Sequence, residues 1–315
     1  TPPPPPAPPA AAVRISFLGT GCAKPSLHRN SSAIFVQLPQ AVNTSTDGSG
    51  SGSGSDSSIL LDCGEGTAGQ LYHLASGDRR LYHQYLCSLR LLWGSHHHAD
   101  HICGFPQLLH EIASARGPHQ RRMQQQHQQR QTDSSGSGSG GSKTELSPPE
   151  LEPRLAVVGS PSVLEFFEFT AYSAGLHSMC SFVPIHDTLS GVSNPDMQVW
   201  LNGRNTSARD RGAAGKLFPL CQDIIVSLRS VPVQHCKHSY AVVLALKAPP
   251  PALAPYLLVY SGDCVPSEEL VCAGAGCDTL VHEATFGDDL VDVAGRKRHS
   301  TVSQAAGVGQ RMQAK

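Results

Sequence analysis

The chain has 315 residues, 39% of them hydrophobic and 16% charged, with a formal net charge of −1. This length holds one large domain or two small ones, and setting aside the low-complexity stretches leaves roughly 240 residues to fold, which favours one domain. No apolar run is long enough to span a membrane, and the near-neutral balance neither points to nucleic acid nor excludes it.

Residues 1–12 are Pro/Ala-rich, uncharged and without an initiating Met. They read as a leader or linker, and the chain as a piece of a longer protein whose targeting information lies elsewhere. The ten cysteines form no Cys-x-x-Cys pair. A reducing, intracellular compartment is therefore favoured over a disulfide framework, without distinguishing nucleus, mitochondrion, plastid or cytosol.

Val13 to Leu18 reads as a first strand running into the tight turn Gly19-Thr20-Gly21, and Ala33 to Leu38 as its partner. A Ser/Gly tract at about 44–57 cannot build a core and is placed on a hairpin tip. Ser58 to Leu61 is a short strand ending in Asp62-Cys63-Gly64-Glu65-Gly66-Thr67, and Thr67 to Ala75 has helical spacing. The apolar run Leu86 to Trp93 reads as a buried strand. It feeds Gly94-Ser95-His96-His97-His98-Ala99-Asp100-His101, which puts five metal-capable side chains in six residues.

Ile102 to Ala115 then reads as a helix with Phe105, Leu108, Leu109 and Ile112 facing in and Pro106 in its first turns. Residues 117–150 are Gln/Arg/Ser/Gly-rich and read as a solvated insert. Arg154 to Val158 is a strand and Ser162 to Ala171 a helix, with Ser162 as cap and Glu165 completing a capping box. Met197 to Trp200, Ile224 to Leu228, Val231 to Lys237, Tyr240 to Leu246, Tyr256 to Tyr260 and Thr279 to Val281 are further strands. His299-Ser300-Thr301 opens a last helix, capped by Ser300 or Thr301.

Read as His-x-His-x-Asp-His, the central stretch supplies His96, His98, Asp100 and His101. His96 and His98 can bind one metal, and Asp100 with His101 a second; imidazole and carboxylate suit zinc, and also iron or manganese. The bland alternative is a weak surface histidine tract. Later strands also end in polar tips, so His235, Asp263, His282 and His299 are candidates to join the same sheet edge. Two nearby cations need a bridging carboxylate, and Asp263 is the natural choice because Gly262 permits close approach. Asp62 can orient a ligand histidine.

These stretches carry a resemblance. Phe17-Leu18-Gly19-Thr20-Gly21, Arg29-Asn30-Ser31-Ser32, Leu61 to Thr67, Ser95 to His101, Val233 to Lys237, Tyr260 to Asp263, His282-Glu283-Ala284-Thr285 and His299-Ser300-Thr301 resemble the metallo-β-lactamase superfamily. Within it, the match is to the catalytic carboxy-terminal half of long-form ribonuclease Z, the tRNA 3′-processing endonuclease. The resemblance implies an α/β fold, an αββα sandwich with metals at the sheet edges, spanning 13–315. It implies two zinc ions per complete catalytic unit, with His96, His98 and His235 at the first site, Asp100 and His101 at the second, and Asp263 as bridge. Asp62 matches the acidic position behind the ligands, and His299 the histidine linked to proton transfer. His282 and Glu283 sit in a family motif near the site and are not assigned as metal ligands.

The resemblance further implies precursor tRNA as substrate, removal of its 3′ trailer by phosphodiester hydrolysis, no membrane, and an amino-terminal half of the same protein bearing the tRNA-binding arm. It expects one more histidine ligand beyond the last helix, so the second site is read as lacking one ligand here. Cys264 replaces the threonine usual after the bridging Asp. The competing functions are another hydrolase of the same fold, such as a thioesterase or lactonase, and a non-catalytic RNA-binding paralogue. Metal-dependent activity on precursor tRNA against small esters separates them.

Overall fold

The computed structural model describes residues 13–38 except 24 and 27, then 57–117, 154–189, 192–193, 217, 221, 224–247 and 254–315. The expected leader at 1–12, both low-complexity inserts apart from their end residues, the strand Met197 to Trp200 and the polar segment after it lie outside the described residues.

Strand β2 (Ala33–Leu38) shows how the layers arise. Successive side chains of a strand point to opposite faces. Ala33 and Phe35 join one apolar cluster, while Ile34, Val36 and Leu38 join another. The same alternation runs through β3 (Ser57–Leu61), β4 (Leu89–Trp93) and β5 (Leu155–Gly159), where Leu60, Leu92 and Val157 face one way and Leu61, Trp93 and Val158 the other. Strands covered on both faces need apolar residues at every position, which is why these segments read as continuous hydrophobic runs.

Strands β1 (Arg14–Gly19) to β6 (Cys180–Pro184) form a six-stranded sheet in sequential order. The pairs β1/β2 and β2/β3 are antiparallel, and the rest are parallel. The second sheet has five strands in the order β11-β10-β9-β8-β7: β7 (Val192–Ser193), β8 (Ile225–Pro232), β9 (Tyr240–Leu246), β10 (Tyr256–Tyr260) and β11 (Thr279–Val281). The inner faces share one core, in which Trp93 meets Tyr260 edge-on with ring centroids 6.2 Å apart.

Helices cover both outer faces. On the first sheet lie α1 (Thr67–Leu74), α2 (Arg79–Ser88), α4 (105–117) and α5 (Pro161–Ser173). Phe105, Leu108, Leu109 and Ile112 of α4 are buried as the spacing predicts, and each contributes roughly 1.5–3 kcal/mol relative to exposure. On the second sheet, α6 (Glu268–Ala273) and α8 (Val302–Met312) pack Leu270, Val271, Val308 and Met312 against Val231, Val243 and Val259. The result is the expected αββα sandwich.

Several boundaries differ from the sequence reading. Leu86 to Ser88 belong to α2, which Asp78 caps by accepting from the amides of Arg80 and Leu81; the strand starts at Leu89. An apolar run alone does not separate a buried helix end from a buried strand. The helix expected over Ile102 to Ala115 is two: α3 (Ala99–Ile102) carries the Asp100-His101 pair, and α4 begins after a turn at Cys103 and Gly104. Ser162 is not a cap; Ser160 is the N-cap residue with Pro161 at the first helical position, and no side chain caps that end. The two strands expected over Ile224 to Leu228 and Val231 to Lys237 are one continuous strand, β8, which ends at Pro232 and leaves His235 in the β8–β9 turn. Thr301 does cap α8, in a capping box with Gln304. Strands β2, β9, β10 and β11 have the expected bounds.

Candidate metal centre

Two parallel strand pairs align the site. Leu61 pairs with Trp93 at the ends of β3 and β4, and Tyr260 pairs with Val281 at the ends of β10 and β11. The loops that follow these four ends carry Asp62, the histidine cluster, Asp263 and the His282-Glu283 pair. The β8–β9 turn brings His235 to the same edge, and the segment before α8 brings His299.

Three imidazole nitrogens converge first. Nδ1 of His98 stands 3.0 Å from Nε2 of His96 and 3.2 Å from Nε2 of His235. Nitrogens about 2.0–2.1 Å from a tetrahedral zinc stand roughly 3.3 Å from one another, so this spacing fits a shared ion. His96 and His235 are buried, and His98 is exposed. Burial, with neighbouring histidines, holds His96 and His98 below the ordinary imidazole pKa, in the neutral form that ligates. Nδ1 of His235 donates to the backbone oxygen of Arg298 at 3.0 Å, which leaves Nε2 for the centre. His97 points away, with Nδ1 3.9 Å from Sγ of Cys236.

The second group adjoins it. Nε2 of His101 lies 3.7 Å from Oδ2 of Asp100 and 3.3 Å from Oδ2 of Asp263. The same Asp263 oxygen lies 3.9 Å from Nε2 of both His96 and His235. One carboxylate oxygen therefore stands between the two groups, in the place a bridge requires. Gly262 allows this: its φ is +57°, and a Cβ there would meet the oxygen of Tyr240 at 2.8 Å and Cβ of Ser95 at 2.9 Å. Burial alone would raise the pKa of Asp263, but His101, His96 and His299 outweigh it and hold the carboxyl below its usual range.

Asp62 sits behind these residues, fully buried, at φ 60°. Its Oδ2 accepts from Nδ1 of His101 and Oη of Tyr260, each at 2.6 Å, and from Oγ of Ser95 at 2.9 Å. Its Oδ1 accepts from the Ser95 amide at 2.7 Å. Burial opposes charge on His101, but Asp62 and Asp263 prevail and raise its pKa well above the ordinary value. Asp100 Oδ2 also accepts from the Ala23 amide at 2.6 Å.

His299 is buried beside the cluster, its ring centroid 4.6 Å from that of His235. Its Nδ1 donates to Oε1 of Glu283 at 2.7 Å and stands 3.9 Å from Oδ2 of Asp263. Glu283 is itself fixed by the amides of Cys264 and Thr285 and by the Thr285 hydroxyl. Burial lowers the pKa of His299, yet Glu283 and then Asp263 more than restore it, so the net shift is upward. His282 stays off the centre: Nδ1 bonds the oxygen of Glu283 at 2.8 Å, and Nε2 lies 3.9 Å from Sγ of Cys264.

The structure thus brings together His96, His98, Asp100, His101, His235, Asp263, Asp62 and His299, and of the candidates from the sequence only His282 faces away. Sequence reasoning left Glu283 without a role, although its motif lies near the site, and did not single out Tyr260, Ser95 or Arg298. Tyr260 ends a buried strand and reads there as core, and Arg298 acts on His235 through a backbone carbonyl that no side-chain pattern reveals.

No family model matches the chain. It is 32% identical to the mouse protein named zinc phosphodiesterase ELAC protein 2 and 29% identical to ribonuclease Z 1 of Schizosaccharomyces pombe, over 95% of its own length in each case. The chain spans 28% and 30% of those two curated relatives, less than a third of their length. Among solved structures, a long-form RNase Z from yeast superposes with a TM-score of 0.68 at 21% identity, covering 96% of this chain and 36% of that one. The short form of human tRNase Z gives 0.55 at 19% identity, covering 96% and 89%, and the metallo-β-lactamase-fold protein YhfI of Bacillus subtilis gives 0.53 at 15%, covering 96% and 83%. The chain has the metallo-β-lactamase fold and, along nearly its whole length, is similar in sequence to ribonuclease Z proteins.

Proposed function

We propose that the chain is the catalytic unit of a zinc-dependent endoribonuclease that removes 3′ trailers from precursor tRNA by phosphodiester hydrolysis. The observation that carries the reading is the Asp263 oxygen shared by His96, His235 and His101 at 3.3–3.9 Å. Names among its relatives, ribonuclease Z and zinc phosphodiesterase, support the metal and the bond that is cut.

His96, His98 and His235 would hold one zinc, and Asp100 and His101 a second, with Asp263 bridging. Bound zinc supplies an activated water at neutral pH and offsets charge developing on the phosphate oxygens. Asp62 holds Nδ1–H of His101 and so turns Nε2 toward the centre. Asp100 orients the attacking water from its place beside His101. The leaving group is the ribose 3′ oxygen of the discriminator nucleotide, which is poor unless protonated. His299 delivers that proton from Nε2 while Glu283 holds Nδ1. The products are a tRNA with a free 3′ hydroxyl and a trailer with a 5′ phosphate.

The decisive experiment incubates zinc-loaded protein with a precursor tRNA transcript, a thioester and a lactone, and maps the ends of any RNA product. Cleavage after the discriminator nucleotide is expected. Ester hydrolysis with intact RNA would overturn the reading in favour of another hydrolase of this fold.

A further inference from the structure

Helix α7 (Val291–Lys297) ends in Arg296 and Lys297, and Arg298 follows in the left-handed conformation at φ 57°. Arg298 is fastened to the β8–β9 turn twice. Its carbonyl accepts from Nδ1 of His235, and its Nη1 donates to the carbonyl of His235, both at 3.0 Å. This double contact sets the basic end of α7 against a turn that carries Lys237 two residues after His235. Lys237, Arg296 and Lys297 are exposed, and among the described residues none of them is in an ion pair. The acidic residues of the same segment, Asp288, Asp289 and Asp292, precede or open α7, and Asp288 is occupied by the amide and hydroxyl of Ser303. Three cations without an ion pair among the described residues thus flank the Arg298–His235 contact, Arg296 and Lys297 just before Arg298 and Lys237 two residues after His235, on a chain whose net charge is only −1.

The other side of the centre is a cleft of about 350 Å³. It is lined by Phe17, Arg29, His282 and Glu283 together with His101 and Asp263, and not by His98, His235 or His299. A nucleic-acid strand held at the centre by its scissile phosphate leaves in two directions, one into the cleft and one over the basic residues. Which is which follows from proton transfer. The 3′ oxygen that takes the proton belongs to the nucleotide upstream of the cut, and its donor in the reading above, His299, directly follows Arg298.

We propose that Lys237, Arg296 and Lys297 form a phosphate-binding rim for the tRNA body, leaving the cleft to the trailer. The inference rests on the ribonuclease reading and on His299 as proton donor. The rim therefore holds the product tRNA as well as the precursor.

The test uses the full zinc-loaded chain and the triple variant Lys237→Gln, Arg296→Gln, Lys297→Gln. Binding is measured across a range of salt for three probes: a precursor transcript, the mature transcript ending at the discriminator nucleotide, and a trailer oligonucleotide. Loss of three phosphate contacts should weaken both tRNAs roughly ten-fold or more and flatten the log–log salt slope by about two to three. Trailer binding, zinc content and hydrolysis of bis(p-nitrophenyl) phosphate should stay at the wild-type level. The single changes Lys237→Gln and Lys297→Gln should each flatten the slope by about one, which guards against misfolding of the triple variant. Unchanged affinity for the mature tRNA, or a loss confined to the trailer, overturns the rim while trailer removal by the wild type still stands. A wild-type chain that hydrolyses small esters but leaves the precursor intact overturns the ribonuclease reading and the rim with it.

Discussion

Oδ2 of Asp62 and Nδ1 of His101 are 2.6 Å apart, with Asp62 fully buried and His101 nearly so. The bond fixes the ring from behind, so Nε2 can only face Asp100 and Asp263. A carboxylate behind a ligand histidine sets both its tautomer and its orientation. Asp62→Asn tests this well, because asparagine tolerates the left-handed backbone that Asp62 adopts. The change should weaken zinc at the second site by roughly 10–100-fold while the three-histidine site keeps its ion. Chelator competition resolves the two sites. Equal loss from both would mean that Asp62 supports the whole edge rather than His101.

The bridge gives a second prediction. His98→Ala removes the nitrogen that faces both His96 and His235, so on the proposed arrangement the folded variant should bind about one zinc fewer than the wild type. Asp263→Ala should weaken both sites together, since its oxygen serves both groups. Metal analysis on folded protein decides it: wild-type zinc content in Asp263→Ala removes Asp263 as the bridge.

Gly64 shows how tightly the loops are packed behind the metal residues. A Cβ at this position would lie 2.2 Å from the backbone oxygen of Asp100 and 2.5 Å from Cβ of Ser31. Neither neighbour is a flexible side-chain end. Gly64→Ala should therefore destabilise the fold by about 1–3 kcal/mol, read as a lower midpoint in denaturant, and should displace Asp100. A variant of wild-type stability would show that the Asp100 backbone yields without cost.

The chemistry was more legible in the sequence than the framework that aims it. Zinc is held by a few residue types, chiefly His, Cys and carboxylates, so residue type, the polar strand ends and the resemblance together marked His96, His98, Asp100, His101, His235 and Asp263 as candidate ligands. Strands such as Tyr240–Leu246 were legible because a short β-branched apolar run bounded by turn residues favours a strand over a helix. Helix α2 was missed because Arg79, Arg80, His83 and Gln84 dilute its apolar stripe, and its burial rests on Tyr82, Tyr85 and Leu86. Edge strand β6 was missed because Cys180, Ser181 and Pro184 dilute its apolar pattern. The Glu283–His299 bond joins residues sixteen positions apart on separate loops, and it is the short parallel bridge between Phe286 and Thr301, invisible in the sequence pattern, that brings these loops together.

That bond supports the last prediction. If His299 delivers the proton, His299→Ala should slow single-turnover cleavage by roughly 100-fold or more, with zinc content and tRNA affinity nearly unchanged. A residue that merely opens a helix would leave the rate near wild type. Glu283→Gln separates the proton from the packing. Glutamine keeps most of the side-chain volume but removes the charge that, together with Asp263, raises the pKa of His299 against the effect of burial. The reaction needs His299 protonated, so its rate falls as pH rises through that pKa. Without the Glu283 charge the fall should begin at lower pH, shifting the alkaline limb of the rate profile downward. A Glu283→Gln profile that overlays the wild type, in a protein with full zinc content, would detach Glu283 from the proton and leave it holding only the loop.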